Sequence, residues 1–252
     1  MDWELIISAL ALLVPLKWLV RQVHDGLQEL FLLLTGHETA AIYLFQVLLL
    51  PGVLLHEFSH WLAAQALAVR VRKFSLRLKV VGRRIQMGAV VLDKPDFVRG
   101  LLIGLAPLVF GSIAVAWIGH HFFDVGTVIA AAEASDVQGT VRAVGAAFAV
   151  NDAWIWLYLV FAISNAMLPS ESDREAVWLM AAFVGLVLVI AFLAGWGPAV
   201  VSKLAEPVET ALGLLLVAFS ITVFVDVVFL AIIWVLRTST TLLTRRRLGR
   251  EV

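Results

Sequence analysis

Six apolar runs, at about 3–20, 40–68, 98–120, 153–168, 176–196 and 209–236, dominate this sequence. A run of roughly 20 apolar residues is the length a helix needs to cross the hydrocarbon core of a bilayer. Inside that core no water satisfies the peptide groups, so a spanning segment is restricted to a helix or a strand of a closed barrel. These runs are continuous rather than alternating, which selects the helix. Only 15% of the 252 residues are charged and 62% are hydrophobic, against about 25% charged in soluble domains. The expectation is an all-α polytopic membrane protein of about six transmembrane helices, forming one membrane-embedded domain over 1–252. Cysteine is absent, which excludes disulfides, thiolate metal sites and cysteine catalysis.

Net charge is zero, but its distribution is uneven. Between Arg70 and Arg99 stand nine basic residues and two acids, Asp93 and Asp96. The tail at 237–252 adds Arg237, Arg245, Arg246, Arg247 and Arg250. The positive-inside rule assigns both regions to the cytoplasm. The segment 122–152 carries Asp124, Glu133, Asp136 and Asp152 against Arg142 alone, which suits the opposite side. Six spans with both termini cytoplasmic, in a prokaryotic cell membrane, fit these assignments, although Lys17 and Arg21 then end the first span on the wrong side. Residues 21–39 read as an interfacial helix or a lengthened first hairpin, and 122–150 as an outer-surface helix or lid. Within the basic loop, Phe74, Leu76, Leu78 and Val80 alternate with polar residues, and alternation resumes at Ile85 after Gly82-Arg83-Arg84. Period two around a glycine turn predicts a small cytoplasmic-side β-hairpin over about 70–92.

The second run contains His56-Glu57-Phe58-Ser59-His60. Histidines four residues apart stack on one helical face. Together they can share one tetrahedral zinc, while the intervening glutamate acts as general base on zinc-bound water. Ionisable residues within spans are rare and mark functional sites. Three of them within one and a half turns are costly to bury without a shared partner, and a single Zn2+ is the simplest one. A catalytic zinc site takes a third protein ligand. No His, Asp or Glu occurs between Trp61 and Val80, so this ligand comes from further along the chain. Asp173 is the expected ligand, with Glu171 as fallback and Glu175 weaker. It follows a span running in the same direction as the one that carries His56 and His60, so the topology brings all three to similar depth. Pro169 ends or kinks that span.

The two motifs together resemble the site-2 protease family of intramembrane zinc metalloproteases. That family pairs HExxH on one transmembrane helix with an Asn-x-x-Pro-type motif whose aspartate is the third ligand. His56, Glu57 and His60 match the first motif in full, and Asn165 and Asp173 match the ends of the second. Two positions depart from the pattern: Pro169 stands four residues after Asn165, and Arg174 replaces the usual glycine. The likeness covers roughly 40–175, with Gly100–Gly111 similar to the family's glycine-proline segment, and leaves no room for an inserted PDZ domain. It implies a compact intramembrane endopeptidase acting on a membrane-protein substrate, with Glu57 as base, His56, His60 and Asp173 on zinc, and Asn165 binding substrate or packing helices. The competing readings are an inactive homologue or zinc-binding scaffold, supported by Arg174 and the shifted proline, and a metal transporter, for which no internal repeat is visible.

The remaining polar residues receive plainer readings. Asp226 is expected to make a polar contact inside the bundle, with a part in a substrate gate as the alternative. His24 and His37 lie outside the apolar runs and His120 and His121 at the far end of a span, so none is expected to be a ligand. No nucleic-acid partner is expected; the bilayer is the surrounding partner.

Overall fold

The computed structural model describes residues 3–75, 79–81, 84–86, 89–93, 95–168, 185–186, 190 and 192–248. The helices are α1 (Trp3–Thr35), α2 (Glu38–Leu48), α3 (Leu50–Ala66), α4 (Phe97–Phe123), α5 (Val125–Glu133), α6 (Val137–Phe148), α7 (Ala153–Met167) and α8 (Gly197–Leu248). Among the described residues three helices, α1, α4 and α8, are long and apolar enough to cross a membrane. The count rises to five if the bent pairs α2–α3 and α6–α7 are each one span. Six spans are therefore not reached among the described residues, and the expected run at 176–196 lies mostly outside them.

Two boundaries differ from expectation, each for a local reason. No break separates 3–20 from 21–39, because the buried face of α1 continues through Leu16, Val20, Val23, Leu27 and Leu30. Those positions recur at helical spacing, while Arg21 and Asp25 form an exposed i,i+4 ion pair on the other side. The run at 40–68 is broken at Leu49, where α2 and α3 meet at 67°. Pro51, in the first turn of α3, has no N–H for the carbonyl four residues back, so it starts a helix more readily than it continues one. The run at 153–168 is filled by α7, which α6 meets at 97°. Asp136 starts α6 by accepting from the Gly139 amide at 2.9 Å, and Asp96 starts α4 by accepting from the Arg99 amide at 3.0 Å. These are N-caps, satisfying donors that the first helical turn leaves open.

The hairpin forms where period two placed it. Strand β1 (Val71–Ser75) pairs antiparallel with β4 (Ala89–Leu92). Strand β2 (Lys79–Val81) pairs with β3 (Arg84–Gln86). The turn residues 82–83 lie outside the described residues.

Helices α3, α4 and α7 pack against one another, and α8 lies along α1 and against α4. The centre of the bundle holds Leu16, Val23, Leu49, Val115, Val160, Phe161 and Phe219. Two glycines let backbones approach closely. A β-carbon at Gly52 would collide with the Ala162 carbonyl of α7, and one at Gly111 would collide with Met167. Gly26 of α1 faces Ile233 of α8, and Glu29 accepts from Arg237 at 2.7 Å. The two pairs advance together along the chain, so α1 and α8 run parallel. The N-terminal ends of α1 and α8 thus point the same way.

The surface is apolar where a soluble protein would be polar. Val14, Trp117, Trp154, Trp196 and Trp234 are exposed, whereas Ser59, Thr222 and Asp226 are buried. Contiguous exposed apolar surface on long helices is compatible with a membrane environment.

Candidate metal centre

The site begins with helix α3. His56 and His60 lie one turn apart, their ring centroids 4.8 Å apart and their planes at 80°. Each Nδ1 faces a backbone carbonyl of a different neighbouring helix. His56 Nδ1 lies 2.6 Å from Ala166 O of α7, and His60 Nδ1 lies 2.8 Å from Ile103 O of α4. A carbonyl only accepts, so each Nδ1 carries the proton and donates. In the neutral tautomer that this selects, Nε2 carries a lone pair, and the two Nε2 atoms converge at 3.1 Å.

Both carbonyls are available because of local backbone chemistry. In a continuous helix Ile103 O would accept from the amide four residues on. That residue is Pro107, which has no N–H. The proline thus frees the acceptor that His60 uses. Ala166 lies in the last turn of α7, where carbonyls have no intrahelical donor. The helix ends because Leu168 is extended, with φ −66 and ψ 139, the conformation favoured before a proline such as Pro169. Gly52, one turn before His56, permits the α3–α7 approach that puts Ala166 O within reach.

Two lone pairs at 3.1 Å repel unless a proton or a cation lies between them. Two zinc–nitrogen bonds of about 2.0–2.1 Å span that separation without strain. An Nδ1–H held by a carbonyl is also the usual outer-shell arrangement of a metal-binding histidine. Glu57 is buried on the same turn, at 8% exposure. A carboxylate at such a position carries a large desolvation cost. His56 and His60 are thus brought together on one face of α3.

Asp173, Glu171 and Glu175, the expected third ligand and its alternatives, lie outside the described residues, as does Arg174. Among the described residues no group of three His, Asp or Glu side chains could hold a metal ion. Ala166, whose carbonyl faces His56, stands seven residues before Asp173 in the sequence.

Asn165 joins a second polar group. Its Nδ2 donates to Phe161 O at 3.0 Å and to Asp226 Oδ1 of α8 at 2.7 Å. Asp226 is fully buried, and the His24 ring of α1 lies against the Asn165 backbone. Asp226 Oδ2, Asn165 Oδ1 and His24 Nε2 are buried with no hydrogen-bond partner among the described residues. The expected polar contact of Asp226 is present, and its partner is the residue of the second motif. His24, half-buried with its Nε2 enclosed, lies next to that motif, though it stands outside the apolar runs. The roles of Pro107 and Gly52 are not apparent from the metal motifs; a proline inside an apolar span and a glycine one turn before His56 are their only signals.

No family model, curated protein or solved structure matches this chain.

Proposed function

We propose that the chain is an intramembrane zinc metalloendopeptidase of site-2 type, cleaving a peptide bond within or beside the bilayer. The observation that carries this reading is the pair of imidazole Nε2 atoms 3.1 Å apart, each ring fixed by a carbonyl of another helix. His56 and His60 would hold the metal, with Asp173 as third ligand. Zinc, when bound, acts as a Lewis acid that lowers the pKa of water to about 7 and polarises a carbonyl oxygen. Glu57 takes the proton from the attacking water and returns it to the leaving amine, a transfer that contributes typically 10²–10⁴-fold. The Ala166 and Ile103 carbonyls keep both imidazoles in the ligating tautomer. Asn165, adjacent to Ala166 and tied to α8 through Asp226, sets the position of the helix end that carries one of those carbonyls. The bilayer is the expected location, and a membrane protein the expected substrate.

The test uses Glu57→Gln in the full-length chain, assayed with membrane-anchored reporter substrates and by metal analysis. Cleavage is expected to fall to background with zinc retained. Undiminished cleavage contradicts the mechanism. Wild-type chain that holds zinc but cleaves nothing favours an inactive zinc-binding scaffold.

A further inference from the structure

We propose that the end of the bundle away from the histidines holds one acyl chain of an amine-headed phospholipid. A cavity of about 490 Å³ lies between α4, α5, α6, α7 and α8. Its walls include Val128, Phe148, Leu216 and Phe224, and the lining is apolar apart from Glu133 and Ser220. Ile103, which holds His60, and Phe123, which lines the cavity, stand 20 residues apart on α4. At 1.5 Å per residue they are about 30 Å apart, so this space does not belong to the metal site.

The shape of the fold makes the cavity. Helix α6 turns 97° from α7, so it lies across the bundle end instead of extending a span. Helices α5 and α6 pack together and cover the flank of α8 without filling it. Gly213 of α8 leaves part of that space open, because a β-carbon built there meets nothing within 4 Å.

An apolar space of this size matches a small-molecule site in volume. A helix about 10–12 Å across would fit little more than one turn into it, so a single flexible chain is the better occupant. Bilayer lipid supplies such chains around the apolar helices. Each buried methylene favours the transfer where the alternative is water. Where the alternative is the bilayer, selectivity must come from the polar end. Glu133 is exposed at the end of α5 and lines the cavity. Its carboxylate complements an ammonium head and repels an anionic one. Phosphatidylethanolamine meets both requirements, and the segment 122–150 thereby acquires a role as the wall of a lipid site.

The full-length chain is reconstituted in nanodiscs containing equal amounts of phosphatidylethanolamine and phosphatidylglycerol, then extracted in mild detergent for native mass spectrometry. Wild type is expected to retain about one phosphatidylethanolamine. Gly213→Phe, which fills the cavity, is expected to reduce that retention at least tenfold. Ala147→Phe serves as a second filling variant if the first fails to fold. Glu133→Gln is expected to abolish the preference for phosphatidylethanolamine while keeping a bound lipid. Equal lipid retention in wild type and a folded filling variant overturns the proposal. So does wild type that carries detergent only, or that prefers phosphatidylglycerol. Zinc content and cleavage do not enter this readout, so it stands or falls apart from the proposed peptidase function.

Discussion

Two buried polar clusters sit side by side at the end of α7, and they are built on opposite principles. In the histidine pair each Nδ1 is held by a carbonyl that a proline or a helix end has released, and the Nε2 atoms converge on one point. In the Asn165–Asp226 pair one hydrogen bond joins two helices, and two flanking oxygens are left without a partner among the described residues. The first arrangement fixes the orientation of both imidazoles. The second links α8 to the helix end that supports the first. Preorganisation is the difference between them: a ligand set needs every outer contact made, whereas a link between helices tolerates unmatched atoms at some cost.

Separating α3 from α7 is expected to have the largest effect. Gly52→Ala puts a β-carbon into the Ala162 carbonyl, so the helices must part and His56 loses Ala166 O. Loss of stability of about 1–3 kcal/mol is expected for such overpacking, together with weaker zinc binding; thermal unfolding and metal titration would measure both. Wild-type behaviour in both assays would mean that the close approach does not support the site.

Restoring a single amide tests the first cluster without touching a ligand. Pro107→Ala returns an N–H that competes with His60 for Ile103 O. Zinc affinity is expected to fall about 10–100-fold, the usual range for lost outer-shell partners. Pro15→Ala, in the interior of α1, should leave zinc affinity unchanged. Equal effects from the two variants would remove the special role of the freed carbonyl.

The smallest effect concerns the second cluster. Asn165→Leu and Asp226→Leu are each expected to destabilise the fold, and the double variant less than their sum. Contacting polar residues show couplings of about 0.5–3 kcal/mol. Additivity would show that the 2.7 Å contact carries no energy, and loss of zinc in Asp226→Leu alone would show that the clusters are one unit.

Much of this was legible in the sequence because the signals were local. The HExxH spacing put two imidazoles on one face of α3, and alternation about Gly82-Arg83-Arg84 gave the antiparallel pairs on either side of that turn. What was not legible depends on partners distant in sequence. Nothing at His60 names Ile103 as its acceptor, and nothing at Asp226 names Asn165. Counting apolar residues also misses the breaks at Leu49 and between α6 and α7, which turn apolar runs into bent pairs.

The central claim is that His56 and His60 form one half of a zinc site. X-ray absorption and elemental analysis of the purified full-length chain, wild type and His60→Ala, test it most directly. The account predicts about one zinc per wild-type chain, with two imidazole nitrogens at about 2.0–2.1 Å, and loss of that zinc in the variant. Wild-type chain that binds no zinc, or a His60→Ala chain that keeps its zinc with unchanged nitrogen ligation, would contradict it.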